Sequence, residues 1–157
     1  MVVGLSSMVG HGRRSAWSKV GRGMPFALAA CVKAKNLDDV VVSKEALDAE
    51  DEVSAILERP IFSKDLNTKG QLDRSSSRVA PLIAEGFGQL TDRHLATYLA
   101  RARGSASETR THLPKAHRKK FISTEEHDAI SAKYTTIGKR LTRWIHYLEQ
   151  SGWNNRG

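Results

Sequence analysis

The stretch Ser123 to Leu148, STEEHDAISAKYTTIGKRLTRWIHYL, decides the fold. Ser123 and Glu126 stand three residues apart, the spacing at which each side chain bonds a backbone N–H that a helix start leaves without a partner. After them Ile130, Tyr134, Ile137, Leu141, Trp144 and Leu148 recur in steps of 4, 3, 4, 3 and 4. That rhythm puts six large apolar groups on one side of a helix. Gly152 supplies the stop, because glycine takes the left-handed turn that ends helices at little cost. The segment reads as an amphipathic helix packed against others, with Trp144 in the core.

Working upstream, the same period returns three times. Thr91 is a candidate N-cap, followed by Leu95, Tyr98, Ala102, Ser105, Thr109 and then His112 or Leu113. The small members allow a neighbouring helix to come close. Pro114 either ends this helix or bends it on its way to about Arg118. Before it, residues 68–87 carry Leu72, Ser76, Val79, Ile83 and Phe87 on one face. Pro81 should kink that rod or open one of its hydrogen bonds, and Gly86 and Gly88 mark its end. Residues 39–58 place Val42, Ala46, Ala49, Val53 and Ile56 on a stripe, Pro60 stops them, and residues 60–67 read as a loop. Rods of about 20 residues are roughly 30 Å long. Four of them with short connections predict an all-α, antiparallel up-down-up-down four-helix bundle over residues 36–151, with a tail at 152–157.

Residues 1–35 differ in kind. They carry six basic and no acidic groups, are rich in Gly and Ser, and show no period. They read as a flexible basic arm, or as translated upstream sequence if Met24 is the start. A competing reading is a lipoprotein leader, with Arg13-Arg14 before an apolar stretch and Leu28-Ala29-Ala30-Cys31 as a cleavage box. The stretch from Met24 to Ala30 is only seven residues and contains Pro25, at the lower edge for a signal segment. No apolar run reaches the roughly 18 residues that a membrane helix needs. A single cysteine, Cys31, makes no internal disulfide, which fits a reducing compartment. The expected location is cytoplasmic.

The chain of 157 residues has a net charge of +8, and the charge is segregated. Residues 36–70 carry four basic and nine acidic groups, and residues 71–120 carry ten basic and four acidic ones. An acidic stretch beside a basic one suits self-association or an anionic partner.

The run Gln71 to Gly88, QLDRSSSRVAPLIAEGFG, resembles the signature of the bacterial four helix bundle protein family, also called the 23S rRNA-intervening-sequence or S23 family. Ile83-Ala84-Glu85-Gly86 match its Ile-Ala-Glu-Gly. Ala102, Gly104-Ser105, Glu108 and Leu113 match the next conserved pattern, and Phe121-Ile122-Ser123 follow at the expected distance. The chain departs from the family at Val41-Val42-Ser43, at Asp73 beside Arg74, at Leu82 and at Gln89. The resemblance implies a four-helix bundle and a homopentameric state, and it implies no enzymatic activity. In one branch, the accessory variability determinants of diversity-generating retroelements, it implies work with a reverse transcriptase and nucleic acid. Other members are encoded within rRNA intervening sequences.

Candidate site residues follow from both lines. Arg74, Arg78, Arg93, Arg103, Arg110, Arg118, Lys119 and Lys120 form a candidate phosphate-contacting set within the basic third of the chain. Arg103 and Arg110 are two helical turns apart and share a face. The bland alternative is a solvated helix surface. Glu85, Gly86, Gly104, Ser105 and Glu108 are candidate structural or interface residues, with both carboxylates in reach of a neighbouring helix. Two glutamates facing a bundle interior would resemble half of a di-metal site, but that site needs Glu-x-x-His motifs, and the expectation is no metal and no cofactor. His112 and His117, five apart, do not share a helix face. Gly138-Lys139 lacks the upstream glycine of a phosphate loop, and no catalytic nucleophile has its partners. The chain reads as a non-enzymatic accessory protein that meets nucleic acid, rRNA or a reverse transcriptase complex, with little sequence specificity. The alternative is an adaptor whose basic face binds an acidic protein.

Overall fold

The structure, a computed structural model, describes Leu37 and residues 40–152. The arm and its Cys31 lie outside the described residues. Helix α1 spans Val41–Leu57, a 3-10 helix Pro60–Lys64, α2 Leu66–Ser77, α3 Val79–Phe87, α4 Asp92–Arg118 and α5 Thr124–Gln150. No strand occurs among the described residues. Helices α2 and α3 are two halves of one rod, so the elements make four rods. Each rod packs against its neighbours in the cyclic order α1, α2–α3, α4, α5 and back to α1. Cross-links fix the antiparallel sense: Glu45 meets Arg140 and Glu52 meets Lys133 between α1 and α5, while Gln71 meets Lys115 and Ser75 meets Thr109 between α2 and α4.

Two prolines act differently. Pro81 has no N–H to give the carbonyl of Ser77, four residues back. The second rod therefore breaks at Arg78 into two helices. Pro114 deprives Arg110, which is exposed, of the same bond, and α4 runs on to Arg118. The residues after Pro60, expected as a loop, form the 3-10 helix and the N-cap of α2. There the Asp65 carboxylate accepts the backbone N–H of Thr68 at 3.0 Å.

The apolar stripes meet in one core. Every member of the α5 stripe is buried, and Phe62 and Phe121 close one end edge to face at 5.1 Å. On α1 the buried residue at the end of the stripe is Leu57, with Ile56 only partly covered. On α4 it is Leu113 and not His112. Burial without a charge partner pushes the Tyr134 phenol well above its ordinary range, with Glu50 adding to the effect.

The end of α4 contains a strained residue. The N–H of Phe121 bonds the carbonyl of Ala116 at 3.0 Å and that of Lys120 bonds His117 at 2.8 Å. This pair of bonds places Lys120 in the left-handed conformation, at φ 59°. A side chain there costs about 1 kcal/mol that glycine avoids. Lys120→Gly is expected to raise stability by about 1 kcal/mol, read as a higher denaturant midpoint with an unchanged slope.

Candidate nucleic-acid interface

Helix α4 turns Leu95, Leu99, Ala102, Ala106 and Leu113 into the core. Its helical phase then fixes the rest. Arg103 and Arg110 emerge beside α5 and flank a groove of about 470 Å³ between the two helices. Ala100, Gly104 and Ser107 of α4 and Gly138 of α5 form its low floor, and Lys139 stands on the α5 side. A Cβ added at Gly104 or Gly138 would meet nothing within 4 Å, so both glycines open the groove. Arg93 is seven residues before Ala100 and Arg118 eleven after Ser107, which puts both on this side of α4.

None of Arg93, Arg103, Arg110, Arg118 and Lys139 makes an ion pair among the described residues. Several carboxylates are paired with other cations, while Glu108 on α4 is exposed and in no ion pair among the described residues. Glu45 holds Arg140 at 2.9 Å, Glu126 holds Arg59 at 2.5 Å, Glu58 meets Lys69 at 3.4 Å, and Glu52 holds Lys133. The flank from α4 to α5 therefore carries a run of uncompensated cations over small residues. Unpaired cations over small residues are the kind of surface that phosphate contacts use, and phosphate contacts carry no base identity.

The other sequence candidates fall in different places. Arg74 and Arg78 are exposed on the second rod, away from the groove. Lys120 is exposed in the turn at the bundle end. Lys119 is bound to Asp65, whose carboxyl is held far below the ordinary carboxylate range by Lys119 first and then by Thr68. Lys119 is thus a structural cation, a pairing across 54 residues that no local pattern announces. Gly86 and Ser105 are buried between the second rod and α4, whereas Gly104 faces the groove. Glu85 and Glu108 do not face the bundle interior. Both are exposed, and neither carboxylate bonds a neighbouring helix. Among the described residues no three His, Cys, Asp or Glu side chains gather as metal ligands would.

Sequence reasoning missed two groups. Lys139 was visible only as part of a failed phosphate-loop pattern, and its helical phase beside Gly138 was the available signal. His117 and His127 have ring centroids 5.2 Å apart at the α4–α5 turn. They come from different helices, so spacing along the chain could not pair them.

Fold and flank together define an all-helical four-rod bundle with a run of unpaired cations beside the α4–α5 groove. The sequence profile of the family described as 23S rRNA-intervening sequence protein matches residues 38–143, and the chain belongs to that family. A solved structure with the same fold is a protein of unknown function from the S23 ribosomal protein family of Bacteroides thetaiotaomicron. It is 21% identical, with a TM-score of 0.62, over 67% of this chain and 98% of that one. No curated protein matches the chain.

Proposed function

We propose that this protein is a non-enzymatic, self-associating cytoplasmic accessory protein that binds nucleic acid through the α4–α5 flank. The observation that carries the reading is the set of unpaired cations along the groove, Arg103, Arg110 and Lys139, extended by Arg93 and Arg118. Phosphates would supply the missing negative charge, and binding would vary little with sequence. The family resemblance suggests rRNA, or retroelement nucleic acid with its reverse transcriptase, as the setting. No described helix is long and apolar enough to cross a membrane.

The test uses a chain beginning at Asn36, because the six basic groups of residues 1–35 would add a polyanion attraction of their own. Duplex DNA, single-stranded DNA and structured RNA of unrelated sequence are each titrated at low salt. Comparable binding across sequences supports the proposal. No binding to any of them returns the flank to an adaptor surface for an acidic protein.

Self-association is tested separately by light scattering of the full chain at micromolar concentration. The expected mass lies well above the 17.4 kDa of one copy, near five times that value for the family's homopentamer. A clean monomer would remove the oligomeric part of the proposal.

A further inference from the structure

The flank opposite the groove carries the complementary defect. In the cyclic order of rods, the edge formed by α1 and α2 lies across the bundle from the edge formed by α4 and α5. On that far edge Glu50, Asp51 and Asp73 gather without a cation partner among the described residues. Burial first, then the carboxylates of Asp51 and Asp73, holds Glu50 above the ordinary carboxylate range. On the same edge by helical phase, Leu47 leaves 50% of its surface exposed, more than Val41 on the same helix at 36%.

The two edges also match in height. Glu45 pairs with Arg140 and Glu52 with Lys133, so Leu47 lies level with Gly138. Gln71 meets Lys115 and Ser75 meets Thr109, so Asp73 lies within a turn of Arg110. A second copy translated sideways, without sliding along the bundle axis, would bring Leu47 to the floor of the groove. Its carboxylates would arrive near Arg110. Gly104 and Gly138 each cost their helix about 0.5–1 kcal/mol relative to alanine, and no contact among the described residues requires them. A notch for another helix gives them a purpose.

We infer that the α1–α2 edge of one copy docks in the α4–α5 groove of the next, with Leu47 between Gly104 and Gly138 and with Glu50, Asp51 and Asp73 facing Arg110, Arg103 and Lys139. The contact joins two different surfaces, so repetition closes into a ring or continues as a filament. It rests on the self-association proposed above and supplies its surfaces. It also draws on cations of the phosphate interface, so nucleic acid and a second copy compete for Arg103 and Arg110.

The experiment is sedimentation of the full chain after nuclease treatment, with folding of each variant checked by circular dichroism. R103E with R110E reverses the groove, and D51K with D73K reverses the edge. Each folded variant is expected to sediment as a monomer, and an equimolar mixture of the two to associate as alternating open or even-numbered assemblies, because each reversed surface then meets its complement. L47K, a change at a half-exposed position that spares the core, is expected to weaken assembly at least tenfold. Adding a 20-base-pair duplex DNA to the native chain should shift it to smaller assemblies. A native chain that is already monomeric would remove self-association itself. A native oligomer whose mass survives both reversals and L47K would overturn this contact while leaving self-association standing. Two folded monomeric variants that fail to recombine would overturn it as well. A duplex that binds without reducing the mass would overturn the shared use of Arg103 and Arg110.

Discussion

Replacing Gly86 with alanine is expected to destabilise the bundle by about 1–2 kcal/mol, even though alanine favours helix by nearly 1 kcal/mol. A Cβ at Gly86 would stand 2.7 Å from the Cβ of Tyr98 and 3.1 Å from a methyl of Leu95. Real Cβ atoms essentially never come as close as 2.7 Å to another atom. The Tyr98 Cβ is fixed to the backbone of α4 and cannot rotate away, so α3 and α4 must separate. Separation loosens the packing around Ile83 and Leu95, both fully buried. Denaturant unfolding measures the result as a lower midpoint. Gly104→Ala is the internal contrast when both variants are unfolded as monomers, because its Cβ meets nothing within 4 Å among the described residues of its own chain. That variant should gain about 0.5–1 kcal/mol from helix propensity. The same substitution at two glycines of the family-like segments thus has opposite signs, and equal signs would contradict the close approach at Gly86.

Those glycines also show what the sequence made legible. Gly86 reads in sequence as a helix stop, and α3 does end one residue later, at Phe87. Its tighter role, the approach of α4, depends on a partner in another helix and leaves no trace in local spacing. Gly104 and Ser105 read as one small pair, but neighbours on a helix point about 100° apart. One opens the outer groove and the other joins the core. The capping box of α5 and the stripe from Ile130 to Leu148 were fully legible because both are patterns within one helix. Pro81 announced a disturbance, and the structure resolves it as a break at Arg78. The cationic flank was half legible. Arg103 and Arg110 follow from α4 alone, whereas Lys139 joins them only when α5 packs alongside, and Lys119 is lost to Asp65 through tertiary contact.

The second large effect concerns binding. Arg103→Ala combined with Arg110→Ala is expected to weaken nucleic-acid binding about 30-fold near 50 mM salt, roughly 1 kcal/mol for each lost phosphate contact. The loss should be the same for unrelated sequences, because phosphates carry no base identity. Helix content should not change, since both side chains are exposed and neither pairs within the described residues. Arg74→Ala with Arg78→Ala removes the same charge from the second rod. It should cost less, because those positions lie outside the groove. Equal losses from the two pairs would mean that net charge alone attracts the polyanion.

The salt dependence of binding tests the cationic flank most directly. A chain beginning at Asn36 is titrated with two unrelated duplexes between about 50 and 200 mM salt, and the logarithm of affinity is plotted against the logarithm of salt concentration. Contacts from Arg93, Arg103, Arg110, Arg118 and Lys139 should give a straight line with a slope of roughly −4 to −5, shared by both duplexes, at about 0.9 per phosphate neutralised. Loss of Arg103 and Arg110 should flatten it by about 2. A slope near zero, or one unchanged by removing both arginines, would contradict a phosphate interface on this flank.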